Sequence, residues 1–256
     1  MTLEDGRRSF LTLAGTSLLF AACRRSEKVE AELHPALPPP PAAASGAPKA
    51  AEQADDDELS AVEDLMREHG VIRRILVVYR EAATRLRLKP ASVVSEALHQ
   101  AALLMQAFGE DYHEKQLEET HIFPALKKAG GQSASLIDTL TAQHQRGREI
   151  TSYVLQSTRQ TLVAANAASL ARALEGFARM YEEHAAFEDT LVFPAWKRAL
   201  SQQALAEMGE RFEAIEHQTF GKDGFDDAQQ KIAAIETRLG IELAAMLPEA
   251  PPTLAK

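Results

Sequence analysis

The chain has 256 residues, of which 45% are hydrophobic and 25% charged, with a formal net charge of −9. An acidic chain without a basic stripe lacks the electrostatic footprint of a nucleic-acid binder, so nucleic acid is excluded as a partner. Cys23 is the single cysteine, which rules out an intrachain disulfide and a thiolate metal site.

Residues 1–23 read as a targeting segment. Arg7 and Arg8 followed by Ser9, Phe10 and Leu11 resemble a twin-arginine export signal. The apolar run from Leu11 to Ala22 is short for a transmembrane helix. It ends in LFAAC, similar to a bacterial lipobox with Phe20 where an aliphatic residue is usual. Cys23 is therefore expected to carry a lipid anchor to the membrane of an exported, periplasmic protein. Simple cleavage after an alanine, or an uncleaved anchor, are the alternatives. Twin-arginine export carries folded proteins, often with a metal already inserted, which fits a metalloprotein without proving one. Residues 24–56, with Pro35, Pro38 to Pro41 and Pro48 among alanines, form a disordered tether that cannot build a core.

From about 57 to 247 the pattern is almost continuously helical, rich in Ala, Leu, Glu, Arg and Gln. A first helix over 57–88 carries Val62, Leu65, Met66, His69, Ile72 and Leu76 on one stripe and stops at Pro90. Ser92 is placed to cap a second helix over 92–129, which Gly130 and Gly131 terminate. Ser133 or Ser135 caps a third, with Ile137, Leu140, His144 and Val154 inward, and a break near Asn166 leads to a fourth over 168–200. Short loops between four long helices predict an all-α fold: an antiparallel up-and-down four-helix bundle over 57–200. Two further helices, from Ser201 to about His217 and from about Asp226 to Met246, make a C-terminal extension over 201–247 that packs outside it.

The fourth helix contains HAAFEDTLVFPAWK, His184 to Lys197, and a weaker copy, HEKQLEETHIFPALK, runs from His113 to Lys127. The copies share an offset of 70 residues at Glu118/Glu188, Phe123/Phe193 and Pro124/Pro194. His184 and Glu188 lie four apart and share a helix face. With His69 and His144 the order becomes single His, His plus Glu, single His, His plus Glu. Folding the halves together brings four imidazoles and two carboxylates to one level. Imidazole plus carboxylate without thiolate suits iron or manganese, and zinc less specifically. Two carboxylates on facing helices can bridge two ions, with two histidines completing each.

The pattern EHG at Glu68–Gly70, H…EE…IFP at His113–Pro124, then His144, then HxxxE…VFP at His184–Pro194 resembles the hemerythrin-like family, the HHE cation-binding domains. The resemblance covers about residues 57–200. It implies a non-haem di-iron centre, two iron ions with manganese or zinc as lesser candidates, joined by an oxo or hydroxo bridge. The ligands it implies are His69, His113, Glu118, His144, His184 and Glu188. It implies a small diatomic or peroxide partner (oxygen, nitric oxide or peroxide) for sensing, scavenging or storage. A di-iron nitric oxide reductase or peroxidase with a periplasmic electron donor is the enzyme alternative, and an iron store or structural bundle the third.

Two departures stand out. Oxygen-carrying hemerythrins have a fifth histidine one turn after the third-helix one, where this chain has Arg148. His113 and Glu118 are five apart, about 140° on a regular helix. A one-residue π-bulge would restore their common face; alternatively Glu114, four before Glu118, faces the metal instead of His113. His121 lies in an ExxH spacing with Glu118 but matches Leu191 in the other copy, so it reads as a neighbour. His34, His99 and His217 are not expected ligands. Glu119 and Asp189 read as solvated, Tyr112 and Tyr181 as either hydrogen-bonding partners of the site or core filling. The two Phe-Pro pairs are expected to close the bundle end and kink the helices.

Overall fold

The computed structural model describes residues 59–159, 164–242 and 247–252. The targeting segment and the tether lie outside the described residues, and among these every element is helical. Helix α1 is Ala61–Leu88. Ser60 and Glu63 form a reciprocal capping box at its start, which fixes the first turn there. Arg85 and Arg87 in the last turn complement the helix dipole. After a 3₁₀ turn at Pro90–Ser92, helix α2 (residues 95–129) is built in three parts: α-helical Ser95–Leu104, π-helical Met105–Ile122 and α-helical Phe123–Ala129. Ser92 sits inside the 3₁₀ turn and caps nothing; the residue before α2 is Val94.

Helix α3 is Gln132–Thr158, entered from Gly131 without a side-chain cap, so Ser133 and Ser135 are inside it. Gly130 and Gly131 have φ of 76° and 86°, a conformation that favours glycine and permits the sharp reversal from α2 into α3. Helix α4 (residues 164–199) again has three parts: Ala164–Phe187, a π-helical Glu188–Val192, and Phe193–Ala199. Helix α5, Gln202–Phe220, starts at the Ser201 cap. Helix α6, Gly224–Leu239, is capped by Asp223 and ends at Gly240 in the left-handed region. Gly240 ends it before the apolar pattern toward Met246 is complete, and residues 243–246 lie outside the described residues.

Neighbouring helices run antiparallel. Along α1 and α4, Arg73, Arg80 and Arg87 pair with Asp189, Glu182 and Glu175, each step seven residues forward on α1 and seven back on α4. Exposed pairs contribute only about 0–1 kcal/mol each, so they mark the register more than they hold it. Along α2 and α3, Lys127 pairs with Asp138, Glu119 meets His144, and Ser95 donates to the Thr158 carbonyl. Helices α5 and α6 lie against α1 and α2. The core between these helices is apolar at its far end, around Leu76, Leu98, Met105, Phe108, Leu174 and Phe177, all at most 1% exposed.

α3 and α4 approach closely at Gly147, where an added Cβ would lie 2.0 Å from the Tyr181 hydroxyl oxygen. Gly147→Ala is therefore expected to destabilise by about 1–3 kcal/mol through overpacking. Gly176→Ala, whose Cβ would meet nothing within 4 Å, should stabilise by about 0.5–1 kcal/mol. Urea unfolding of the two variants measures both, and the reverse order would contradict the packing.

Candidate metal centre

The structure brings His69, His113, Glu118, His144, His184 and Glu188 together, every one at most 3% exposed. The imidazoles form two pairs: His69 Nε2 to His113 Nε2 at 3.0 Å and His144 Nε2 to His184 Nε2 at 3.0 Å. Glu118 lies between the pairs. Its Oε1 is 3.5 Å from His113 Nε2 and its Oε2 is 3.3 Å from His144 Nε2, one oxygen for each pair. Glu188 also touches both pairs: its Oε2 is 3.5 Å from His69 Nε2 and 3.0 Å from His184 Nε2.

The placement of His113 and Glu118 depends on the π-helix. Five residues span about 140° beyond a full turn in α geometry, and i→i+5 hydrogen bonding closes most of that gap. The π segment covers four turns rather than the single bulge expected from spacing. Each π segment ends in the same way. The Phe123 N–H donates to the Glu118 carbonyl, and the Phe193 N–H to the Glu188 carbonyl, five residues back. Proline follows at once in both copies and has no N–H to place in the ladder, so the ladder changes pitch there. The two phenylalanines pack on the imidazoles: Phe123 is stacked on His144 at 5.4 Å between centroids, and Phe193 lies 5.3 Å from His69. They do more than close an end of the core.

All four Nδ1 atoms have an acceptor of their own. His69 Nδ1 donates to Asp189 Oδ1 (2.7 Å), His113 Nδ1 to Glu68 Oε2 (2.5 Å), His144 Nδ1 to Glu119 Oε1 (2.8 Å) and His184 Nδ1 to Gln143 Oε1 (2.9 Å). Carboxylate and amide oxygens only accept here, which fixes Nδ1 as the donor and leaves each Nε2 to face the centre. Glu119 and Asp189 are thus oriented partners of the imidazoles, where sequence spacing gave them to solvent. Glu68 entered the sequence reading only as part of the EHG pattern, with no role, and Gln143 was not singled out. The signal available was that Glu68 and Glu119 adjoin His69 and Glu118.

The choice between His113 and Glu114 is resolved in space. Glu114 Oε1 accepts from Tyr181 Oη at 2.6 Å and Oε2 from Arg148 at 3.0 Å, so its carboxylate is engaged beside the centre. Arg148 also donates to Glu119 at 2.5 Å, and Tyr112 Oη donates to Glu68 at 2.8 Å. His121 is half-buried beside Phe212 and takes no part, His99 meets Thr158, and His217 is exposed. His34 lies outside the described residues.

The donor set fits cation binding. Both oxygens of Glu118 and of Glu188 are buried with no hydrogen bond of proper geometry. A buried carboxylate in that condition is costly unless a cation compensates it. Burial pushes Glu188 well above the usual carboxylate range, and the Glu118 charge adds to this. For Glu118, burial is outweighed by the charges of His113 and His144, which hold it well below that range. Burial depresses His184 to about 3, helped by repulsion from His144. His144 is raised to about 10 because Glu114, Glu118 and Glu119 outweigh its burial. His113 is likewise raised, with Glu118 and Glu68 outweighing burial. Protein groups alone therefore use protons where cations could stand.

The hemerythrin HHE cation-binding domain model matches residues 60–196, the stretch that holds all six converging side chains. The chain belongs to that family. It is also similar to three proteins of uncharacterized function, one from Mycobacterium bovis and two from strains of Mycobacterium tuberculosis. Each is 43% identical over 185 residues, covering 72% of this chain and 71% of the relative. No solved structure matches the chain.

Loading the protein with divalent cations near neutral pH should release protons, because His113, His144 and Glu188 all hold theirs above the ordinary range. Calorimetry in buffers of different ionisation enthalpy counts them; cation binding without proton release would contradict the site. Asp189→Ala, which frees His69 Nδ1, should weaken cation affinity about 10–100-fold; an unchanged binding isotherm would contradict its orienting role.

Proposed function

We propose that the chain is an exported di-iron protein that binds a small oxidant, oxygen, nitric oxide or peroxide, for sensing, scavenging or storage. The observation that carries this reading is the pairing of donors: two imidazoles on each side and two buried carboxylates touching both sides. Antiparallel pairing of neighbouring helices supports an up-and-down four-helix bundle as the frame, with α5 and α6 laid outside it. His69 and His113 would hold one ion, His144 and His184 the other, and Glu118 and Glu188 would bridge. Six ligand side chains would leave room for a small molecule, and an all-nitrogen-and-oxygen set favours iron over softer metals. A pair of iron ions held there would supply Lewis acidity and electrons to a small oxidant.

The chain's own part is to fix the four Nε2 lone pairs through Asp189, Glu68, Glu119 and Gln143, and to exclude water with Phe123 and Phe193. Arg148, at the position where oxygen carriers have a fifth histidine, is engaged by Glu114 and Glu119. That supports a four-His, two-Glu centre and disfavours reversible oxygen carriage. The twin-arginine-like start and Cys23 support export and a lipid anchor.

Iron analysis should find about two irons per chain, and reduced protein exposed to oxygen or nitric oxide should change its optical spectrum. Glu188→Ala should abolish paired iron; an unchanged iron count removes the bridging role. Cys23→Ser should release the protein from the membrane fraction, and continued membrane association of that variant would overturn the lipid anchor.

A further inference from the structure

Eight buried side-chain polar atoms among the described residues lack a hydrogen-bond partner. Four are the oxygens of Glu118 and Glu188, which the centre accounts for. The other four are Tyr79 Oη, Glu110 Oε1, Thr151 Oγ1 and Arg148 Nε. Tyr79 and Thr151 are 0% exposed and Glu110 is 2% exposed. They come from three helices, α1, α2 and α3, about one to three turns beyond the centre toward the apolar end. Seven residues of helix separate His144 from Thr151, about 10 Å of rise.

Glu110 is the common electrostatic neighbour of these groups. Glu110 senses Thr151, Glu114, Arg148 and Asp111, while Tyr79 and Tyr181 both sense the Glu110 charge. Thr151 is near Glu110, yet neither Thr151 Oγ1 nor Glu110 Oε1 makes a hydrogen bond of proper geometry. Orphaned polar atoms at this depth are expensive, and ordered water is the usual partner where two to four of them surround a small space. Three donors (Tyr79 Oη–H, Thr151 Oγ1–H, Arg148 Nε–H) and one acceptor (Glu110) suit water.

A line of hydrogen bonds joins these groups' neighbours to the centre. Above Glu110, Glu114 accepts from Tyr181 and from Arg148; Arg148 donates to Glu119, which holds His144 Nδ1. Gly147 leaves the room that the Tyr181 hydroxyl occupies. The Arg148 side chain is 19% exposed, so this line reaches solvent at one end.

We propose that Tyr79, Glu110 and Thr151, with Arg148 Nε at the edge, form a second buried site that binds ordered water and holds an exchangeable proton on Glu110, adjoining the metal centre by way of Glu114, Tyr181 and Arg148. Its use as a local proton store for the centre depends on the di-iron reading; its existence does not. Burial pushes the Glu110 carboxyl up to about 7, with Glu114 and Asp111 adding to this and Thr151 and Arg148 opposing it. Facing it are Tyr79 from α1, Asp111 and Glu114 from α2, Arg148 from α3 and Tyr181 from α4.

Infrared difference spectroscopy of the iron-loaded protein at about pH 6, below the raised carboxyl value but above an ordinary one, tests the site. The expected result is a C=O band of a buried carboxylic acid that Glu110→Gln removes and that Tyr79→Phe and Thr151→Val shift. In D2O the band should move long before the protein unfolds, and loading with iron should change its position or intensity. A wild-type spectrum without the band, or a band that survives Glu110→Gln, overturns the proton on Glu110. Exchange only on global unfolding overturns the hydrated chamber, and an identical band before and after loading overturns its link to the centre. Failure to take up iron would sink the di-iron reading instead, while the band, its loss in Glu110→Gln and its exchange in D2O still decide the chamber.

As a second readout, wild-type stability should fall as pH rises from about 4.5 through about 7, since a raised carboxyl stabilises only while protonated. Glu110→Gln should flatten that fall, and an unaltered slope counts against the protonated carboxyl.

Discussion

The structure is governed by one electrostatic requirement: two carboxylates and four imidazole nitrogens face each other where water does not reach. Taken alone this is among the least favourable contents a core can have, because burial opposes every charge that the groups would carry. The residues around them each reduce that cost. Asp189, Glu68, Glu119 and Gln143 take the outward Nδ1 protons, and Tyr112, Arg73 and Arg148 in turn engage three of those acceptors. What remains unsatisfied points inward, at the place where positive charge would be most stabilising.

This requirement explains why helices that are otherwise ordinary change pitch. A regular α-helix would carry Glu118 away from His113, and the π-helical stretch of α2 restores their shared face at the expense of weaker backbone geometry over 18 residues. In α4 the corresponding stretch is only five residues, since His184 and Glu188 already share a face at four apart. The first copy holds one extra residue between its His and its Glu. The Phe-Pro pairs end both stretches, place an aromatic ring on the imidazoles and return the backbone to α geometry.

The polar interior does not stop at the centre. Glu114, Tyr181 and Arg148 extend it, Gly147 makes space for it, and Tyr79, Glu110 and Thr151 end it against Phe177 and the apolar layer. Along the outside of α1 and α4 the arginine-carboxylate pairs repeat every seven residues, the spacing of helices packed along a common seam. Asp189, Glu182 and Glu175 acquire meaning as partners of Arg73, Arg80 and Arg87 only once α4 is laid antiparallel to α1.

The sequence by itself determined the helical class and the two copies of the His-Glu-Phe-Pro pattern, because helix periodicity and residue chemistry are local properties of the chain; the family resemblance added the side chains that meet, with His113 and Glu114 left as alternatives. It also showed that a five-residue interval needed a departure from α geometry, without showing how far the departure runs. The fold alone decided that His113 rather than Glu114 turns to the centre, that Glu119 and Asp189 serve imidazoles instead of solvent, and that Glu110 meets Tyr79 and Thr151. Each of those outcomes depends on which side chain of a different helix stands opposite, at separations of 25 to 120 residues. Spacing along one helix carries no record of its neighbour across the core, and that is why tertiary packing had the last word there.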